Sequence, residues 1–197
     1  MLTLDLMRHG EPLGGRRYRG QIDDPLSDRG WAQMRAALGE TTPWTRIVSS
    51  PLSRCRAFAE ELSRQRGLPM SVDERLREVG FGVWEGKSAA EIESETPGAL
   101  ARFKSDPIHA RPPGAEPLDS FYRRVADALD AIQSGHDGEH VLLVGHAGVI
   151  RMALAWALAI PQANAYRIEV ASAKYTRLRV DAGCATLIFH GGALPEQ

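Results

Sequence analysis

The chain has 197 residues, which is enough for one well-packed domain and short for two. Hydrophobic residues make up 43% of it and charged residues 25%, as in ordinary globular proteins. The formal net charge of −1 argues against nucleic acid or a membrane surface as a partner, because proteins that bind those surfaces usually carry a strong basic excess. We therefore expect a single domain over residues 1–197.

Two stretches bear on where the protein works. The N-terminal segment lacks a basic region followed by a long apolar run, so it does not resemble a signal peptide. The most apolar stretch, MALAWALAI, is broken by Pro161 and falls short of the roughly 20 residues that span a bilayer. We therefore expect a cytoplasmic protein without membrane contact.

The first half of the chain predicts strands that alternate with helices. An alternating LTLDLM stretch predicts a strand that runs into the tripeptide RHG at residues 8–10. After a loop rich in Gly and Arg over residues 14–20, Ser27 is a candidate N-cap for a helix whose apolar face includes Trp31 and Met34. TRIVSS predicts a short buried strand, the next helix ends at Gly67, and LPMSV predicts another strand.

The second half opens with LREVGFGVWEGKS, which has no regular period, and short helices are predicted near residues 88–95 and 97–105. A long helix follows, with apolar residues at steps of three and four: Leu118, Phe121, Val125, Leu129 and Ile132. VLLVGH is an unbroken apolar run, typical of a central parallel strand, and an apolar helix from about Ala147 to Ala159 comes next. YRIEV, AKYTRLRV and CATLIFH predict strands, the last two joined by a turn at Asp181-Ala182-Gly183.

This order of elements predicts a layered α/β domain with a mostly parallel sheet. The last two strands are close enough in sequence to form an antiparallel hairpin at one edge. The YRIEV segment is a candidate exposed edge that could pair two subunits, so a homodimer is one expectation.

Three of the predicted strands end in basic or imidazole groups: RHG at residues 8–10, SSPLSR at 49–54 and GHAG at 145–148. Because parallel strands place their carboxyl ends on one edge of a sheet, we expect Arg8, His9, Arg54 and His146 to converge. Small residues at the helix start after His146, Ala147 first, leave backbone N–H groups free for an anion. Two guanidinium groups and two imidazoles around one point predict a site for a dianionic phosphoryl group.

The two histidines suggest chemistry as well as binding. A neutral imidazole has an ordinary pKa of about 6.5, so His9 could attack phosphorus and divide the hydrolysis into two steps. The leaving oxygen then needs a proton donor. Glu78 and Glu85 are both candidates, because apolar residues and glycines surround each of them.

Four motifs occur in the order and approximate spacing of the histidine phosphatase superfamily, the phosphoglycerate-mutase-like enzymes: RHGEP, SSPLSR, LREVGFGVWEG and LLVGHAGV. The chain resembles that family from residue 2 to about residue 180. The resemblance implies a three-layer α/β/α sandwich with a mostly parallel central sheet and an antiparallel edge strand near the C-terminus. It implies His9 as the nucleophile, Arg8, Arg54 and His146 as the phosphate pocket, and Glu78 as the proton donor. Glu85, in the W-E-G element, looks structural by the same comparison.

The loop after the nucleophile departs from the common family pattern. Many members carry an Asn six residues after the nucleophile, where this chain has Gly15. The following R-G-x-x-D-D-x-L pattern is similar to a subgroup of bacterial alpha-ribazole phosphatases, which remove the 5′-phosphate of alpha-ribazole 5′-phosphate or of its cobamide form in cobalamin assembly. We add Gly15, Gly20, Gln21 and Ala147 as candidate substrate-binding residues.

Other functions stay open at this point. A broad-specificity or sugar-phosphate phosphatase would use the same residues, and a non-catalytic phosphate-binding protein could share the fold. The chain has no Walker loop, dinucleotide fingerprint or metal-type spacing, so we expect no cofactor and a small phosphate ester as the partner. Arg16, Arg17 and Arg19 are either substrate contacts or solvated charges, and Trp84 is either a packing residue or a stacking platform.

Overall fold

A computed structural model describes residues 1–39, 43–181 and 183–194 of the chain. A six-stranded sheet lies at its centre, with the strand order β3-β2-β4-β1-β5-β6. The strands are β1 (Leu2–Arg8), β2 (Arg46–Ser49), β3 (Met70–Val72), β4 (His140–Gly145), β5 (Tyr175–Asp181) and β6 (Cys184–Gly192). The first four strands pair in parallel, whereas β5 is antiparallel to β1 and β6 is antiparallel to β5.

Helices cover both faces of the sheet. They are α1 (Asp28–Ala37), α2 (Ser53–Arg66), α3 (Ala89–Glu95), α4 (Ala99–Ser105), α5 (Leu118–Gly135), α6 (Ala147–Leu158) and α7 (Gln162–Ala165). One face of β1, formed by its leucines, packs against α5 and α6 in the larger core. The other face packs against α1 and α2 around Met7, Met34 and Phe58. The structure is therefore the expected three-layer α/β/α sandwich, with an antiparallel hairpin at one edge of a mostly parallel sheet.

The local start and stop signals of the helices are where the sequence predicts them. Ser27 caps α1, and its side chain accepts a hydrogen bond from the backbone N–H of Gly30. Gly67 ends α2 in the left-handed conformation, with φ of 67°. The predicted turn at residues 181–183 includes Ala182, which lies outside the described residues; β5 ends at Asp181 and β6 begins at Cys184.

The prediction of a strand at YRIEV is wrong. Residues 166–170 follow the short helix α7 as a turn and irregular backbone. Arginines bind the carbonyls that a strand would use: Arg151 donates to the carbonyl of Ile168 at 3.0 Å, and Arg8 donates to that of Val170 at 2.5 Å. The alternating apolar pattern comes instead from side chains that pack against the core. This segment therefore offers no edge strand for pairing two subunits.

Strand β1 carries a fully buried acidic side chain, Asp5. Its carboxylate accepts two hydrogen bonds from Arg177, at 2.7 and 2.9 Å, one from Trp44 Nε1 at 2.8 Å and one from His140 Nε2 at 2.9 Å. Burial on its own raises the pKa of Asp5, but these hydrogen bonds outweigh burial and leave the pKa below its ordinary value. The ionised carboxylate thus joins β1 to β5, to β4 and to the segment before β2.

We expect Asp5→Asn to lower the free energy of unfolding by about 3 kcal/mol at pH 7, because it leaves the partly buried Arg177 without its partner. The folded pKa of Asp5 is depressed, so its contribution is complete above the unfolded pKa of about 3.9 and is lost as the pH falls through the folded pKa. Urea unfolding of wild type and variant at pH 7, 5 and 3 would check this. The difference between them narrows at pH 3; a difference that does not change with pH contradicts an ionised Asp5.

Candidate active site

His9 and His146 lie side by side because they follow two neighbouring parallel strands. Arg8, the last residue of β1, is in register with Gly145, the last residue of β4, and the N–H of His9 donates to the carbonyl of Gly145 at 3.0 Å. The centroids of the two imidazole rings are 5.2 Å apart, with an interplanar angle of 66°. The carboxyl edge of the sheet thus holds both rings in one place.

The surroundings of His9 favour one neutral tautomer. The side chain is only 6% exposed, and its Nδ1 lies 2.7 Å from the carbonyl oxygen of Gly10. A carbonyl can only accept, so Nδ1 carries the hydrogen and Nε2 keeps its lone pair. Burial, then the positive charges of Arg54 and Arg8, hold the pKa of His9 well below its ordinary value. His9 therefore presents an unprotonated nitrogen, as a nucleophile requires.

Gly10 fixes the loop that carries His9 against the start of α1. A Cβ atom on Gly10 would lie 2.2 Å from the carbonyl oxygen of Gly30, in the first turn of α1. A Cβ on Gly30 would in turn lie 2.1 Å from the carbonyl oxygen of Glu11. Only glycine at both positions allows this close approach of two backbones, which explains the glycine of the RHG tripeptide.

Arg54 is buried in the first turn of α2, with 1% of its surface exposed. Its terminal nitrogens donate to the carbonyls of Ile22, at 2.7 Å, and Gly20, at 2.9 Å, so it holds the loop before α1. Among the residues that the structure describes, the buried Nε atoms of Arg54 and Arg8 have no hydrogen-bond partner. Two buried cationic donors without a partner next to His9 are what an anion-binding site requires.

His146 is fully buried at the N-cap of α6. Its Nε2 lies 2.7 Å from the hydroxyl oxygen of Ser50, and the sulfur of Cys55 packs 3.6 Å from the same nitrogen. Burial, then the positive charge of Arg54, hold the pKa of His146 well below its ordinary value. His146 is therefore a neutral hydrogen-bonding group in this state.

Glu78 reaches the same site from the irregular segment that follows β3. One oxygen of its half-buried carboxyl accepts from the N–H of Gly148 in the first turn of α6, at 3.2 Å, and the other from the N–H of Val79, at 3.0 Å. A Cβ on Gly148 would lie 2.2 Å from Glu78 Oε1, so glycine leaves the space that this carboxyl occupies. The charge of Glu78 also acts on Arg8, where it opposes the lowering of the pKa by burial.

Arg124 and Glu116 hold the Glu78 segment in place, and the sequence did not single out either as a functional residue. Arg124, on α5, donates to the backbone carbonyls of Arg75, Arg77 and Glu78 at 2.5–3.1 Å. It also forms a two-pronged ion pair with Glu116, whose Oε2 accepts from the N–H of Gly80. A signal that could have pointed to Glu116 is the PPGAE stretch at residues 112–116.

Glu85 does not lie among the phosphate-binding groups. Its Oε1 accepts from the backbone N–H of Gln21, at 3.1 Å, and of Phe81, at 2.9 Å, and so clamps two loops together. Trp84 is 7% exposed and packs against Tyr18 and Phe103, which supports the packing role rather than a stacking platform.

The remaining candidates occupy the loop before α1 and the start of α6. Gly15 has φ of 73° and open space around it, Gly20 offers its carbonyl to Arg54, and Gln21 is exposed with its amide nitrogen 3.5 Å from the carbonyl of Glu78. Ala147 is the first residue of α6, directly after His146.

The three loop arginines differ in their contacts. Arg19 is buried and binds Asp24 and the carbonyl of Leu13, so it braces the loop. Arg17 binds Glu91 and the carbonyl of Gly86. Arg16 is exposed, and its charge acts on Arg8. Of the three, only Arg16 has no carboxylate partner in the part of the chain that the structure covers.

Over residues 1–39, 43–181 and 183–194, no group of three or more His, Cys, Asp or Glu side chains is placed to hold a metal ion. Within the same ranges, no helix has both the length and the apolar character that crossing a bilayer requires.

The α/β/α sandwich thus places a buried histidine beside two guanidinium groups whose buried Nε atoms lack a partner in the described chain, an arrangement suited to binding a phosphoryl group. The profile of the histidine phosphatase superfamily (branch 1) matches residues 4–191 of the chain. The protein belongs to that superfamily.

Named relatives within the superfamily are phosphatases with different substrates. The chain is 35% identical over 173 residues to glucosyl-3-phosphoglycerate phosphatase of Mycobacterium tuberculosis, covering 82% of this chain and 77% of the relative. It is 28% identical over 190 residues to adenosylcobalamin/alpha-ribazole phosphatase of Salmonella typhimurium, covering 94% of each. A solved structure of a mycobacterial glucosyl-3-phosphoglycerate phosphatase with VO3 superposes with a TM-score of 0.87 at 31% identity, over 96% of this chain and 98% of the other.

Some curated relatives are much longer than this chain. The match to a bifunctional protein of Mycobacterium tuberculosis, at 36% identity, covers 84% of this chain but 46% of the relative, so the chain spans about half the length of that protein. The shared region supports a phosphatase, while the relatives differ in the substrates for which they are named.

We expect Gly148→Ala to displace the Glu78 carboxyl from the start of α6, because the new methyl group would occupy its place. Turnover of alkyl phosphates should fall by about 10-fold or more, as for a misplaced general acid. Steady-state kinetics and thermal unfolding would measure this. Gly135→Ala is the matched control, since a Cβ there meets open space at the end of α5 and should leave turnover unchanged. Equal activity of the two variants would contradict the placement of Glu78.

Proposed function

We propose that the protein is a phosphomonoesterase that works through a phosphohistidine formed on His9. The observation that carries this proposal is the free Nε2 of a neutral, buried His9 beside the unpartnered Nε atoms of Arg8 and Arg54. Two guanidinium groups can hold the oxygens of a phosphoryl group and stabilise the charge that spreads over them as it is transferred.

The proposed reaction has two balanced steps. His9 Nε2 attacks phosphorus, a P–N bond forms, and the P–O bond to the leaving group breaks while the carboxyl of Glu78 gives its proton to the leaving oxygen. Water then attacks phosphorus and gives one proton to the Glu78 carboxylate; a new P–O bond forms, the P–N bond to His9 breaks, and inorganic phosphate leaves with His9 neutral again. Hydrogen bonds from the N–H groups of Gly148 and Val79 hold the Glu78 carboxyl at the start of α6, where it acts as proton donor in the first step and as proton acceptor in the second.

His146 and the α6 N-terminus complete the proposed phosphate pocket. The ring of His146 borders His9, and the first turn of α6 directs its backbone N–H groups and positive dipole end to the same edge of the sheet. Because these charges and donors come from the chain itself, we expect phosphate release without an added metal ion or other cofactor.

Two substrate classes fit this proposal. The R-G-x-x-D-D-x-L pattern and the Salmonella relative support alpha-ribazole 5′-phosphate or its cobamide form, in cobalamin biosynthesis. The higher identity to glucosyl-3-phosphoglycerate phosphatase supports a sugar phosphate as the second candidate. One domain over residues 1–197, working in the cytoplasm on a small molecule, stays part of the proposal.

We expect His9→Ala to lower turnover by about four orders of magnitude or more, because the covalent route is lost while the fold is kept. Phosphate release from p-nitrophenyl phosphate in the presence of EDTA, with circular dichroism of both proteins, would measure this. Rapid quenching into base should trap labelled phosphohistidine in wild type only. Turnover near that of wild type in the variant would rule out the proposed nucleophile.

We expect Glu78→Gln to impair alkyl phosphates at least about 10-fold more than p-nitrophenyl phosphate, whose leaving group scarcely needs a proton. The ratio of kcat values on glycerol 3-phosphate and p-nitrophenyl phosphate is the readout. Glu85→Gln is the matched control, because a glutamine oxygen can still accept from Gln21 and Phe81. Equal losses on both substrates in the Glu78 variant would assign the acid role to another group.

A further inference from the structure

Ser50 and His146 follow the neighbouring parallel strands β2 and β4 and meet at the carboxyl edge of the sheet. Ser49, the last residue of β2, is in register with Val144, and the backbone N–H of Ser50 donates to the carbonyl of Val144 at 3.0 Å. Ser50 and His146 are both fully buried, and Ser50 Oγ lies 2.7 Å from His146 Nε2. The strand pairing therefore holds this hydroxyl directly beside the second imidazole of the site.

The hydrogen bond between Ser50 and His146 has one direction that satisfies the hydroxyl group. The backbone N–H of Leu52, at the N-cap of α2, donates to Ser50 Oγ at 3.3 Å, so this oxygen already accepts one hydrogen bond. The hydroxyl also has one hydrogen to donate, and its only acceptor among the described residues is His146 Nε2. Because a buried donor without an acceptor is unfavourable, the hydroxyl donates and Nε2 accepts.

This direction determines the tautomer of His146. A neutral imidazole carries one hydrogen, so an accepting Nε2 leaves that hydrogen on Nδ1. Within the described ranges, the only hydrogen-bonding contact of Nδ1 is the sulfur of Cys55 at 3.7 Å, and a thiol sulfur is a weak acceptor. The Nδ1–H group therefore stays available as a donor, next to the ring of His9, whose centroid is 5.2 Å from that of His146.

Cys55 fixes the ring of His146 by packing and adds no charge to it. Its sulfur lies 3.6 Å from Nε2 and donates to the carbonyl of Gly145 at 3.4 Å. Burial raises the pKa of the Cys55 thiol, so the group stays neutral beside the imidazole. Cys55 thus restricts the position of the ring, whereas the hydroxyl of Ser50 decides which nitrogen carries the hydrogen.

We infer that Ser50 is a positioning residue: it holds His146 in the Nδ1–H tautomer, in which the imidazole donates a hydrogen bond to the phosphoryl group beside His9. The opposite tautomer would present the lone pair of Nδ1 to anionic oxygens and weaken their binding. The donated hydrogen bond contributes most in the transition state, as charge spreads over the phosphoryl oxygens. This inference rests on the proposed phosphatase reaction.

Nitrogen NMR of the histidine side chains tests the tautomer directly, since protonated and unprotonated ring nitrogens have well-separated chemical shifts. In wild type at pH 7, we expect the hydrogen of His146 on Nδ1, and the loss of its signals in His146→Gln assigns them. In Ser50→Ala, the neutral ring should carry its hydrogen on Nε2 in a substantial fraction of molecules. A hydrogen on Nε2 in wild type, or an unchanged Nδ1–H tautomer in Ser50→Ala, would overturn the inference.

Ser50→Ala should lower kcat by about 10- to 100-fold, the effect of losing one hydrogen-bond donor to the transition state. The inhibition constant of vanadate, which resembles the transition state, should rise at least about 10-fold, whereas that of inorganic phosphate should change less than about 3-fold. Ser49→Ala is the matched control, because Ser49 is an equally buried serine whose hydroxyl donates to the carbonyl of Ser50 at 2.9 Å. It should keep the Nδ1–H tautomer and a kcat within about 3-fold of wild type.

Ser50→Thr keeps the hydroxyl and tests the role if the alanine variant unfolds. It should retain the Nδ1–H tautomer, even where the added methyl group lowers stability. An Nε2–H tautomer in the folded threonine variant would contradict the role of the hydroxyl.

Three kinetic results would also contradict the positioning role. Equal rises in the inhibition constants of vanadate and phosphate, or the same loss of kcat in Ser49→Ala, would mean that Ser50 only supports the fold at this edge. A kcat of Ser50→Ala within about 3-fold of wild type would mean that the tautomer has no effect on the reaction. The NMR result does not depend on turnover, and His9→Ala tests the phosphatase reaction by itself, so the two proposals fail separately.

Discussion

Arg8 and Arg54 bring guanidinium groups to the carboxyl edge of the sheet and leave their Nε atoms buried without a partner in the described chain. The same charges, together with burial, hold the pKa of His9 and His146 well below the ordinary value. The same arrangement therefore leaves cationic donors that can bind an anion and keeps the imidazole beside them neutral. A bound phosphoryl dianion would accept hydrogen bonds from these donors. Binding and nucleophilic attack therefore depend on the same positive charges beside a buried imidazole.

The scaffold sustains this arrangement by close backbone approaches and by contacts between distant segments. The loop that carries His9 lies directly on the first turn of α1, where only glycines fit. Arg124 gathers the carbonyls of the segment that ends in Glu78 and ties it to α5. Catalytic geometry needs positions held to within fractions of an ångström, and these rigid contacts provide that where the chain itself is irregular.

Arginine has two distinct uses in this fold. Arg19 and Arg124 are satisfied by carboxylates and carbonyls at short distances, and they act as structural braces. Arg8 and Arg54 each have a buried Nε without a hydrogen-bond partner among the residues described. The distribution of unsatisfied donors, rather than the number of basic residues, is what suggests where the phosphoryl group of the substrate binds.

Local patterns in the sequence determined the strands, the caps and the order of the layers, because a buried parallel strand is a continuous apolar run and Ser27 and Gly67 act on their own helices. The four motifs also named the candidate site residues, whose catalytic roles stay predictions. Only the tertiary structure decided that residues 166–170 form no strand, since Arg8 and Arg151 donate hydrogen bonds to the backbone carbonyls of this segment. It alone assigned Glu85 to a loop clamp and Arg124 to the support of Glu78, because such contacts join residues dozens of positions apart and leave no periodic trace in the chain.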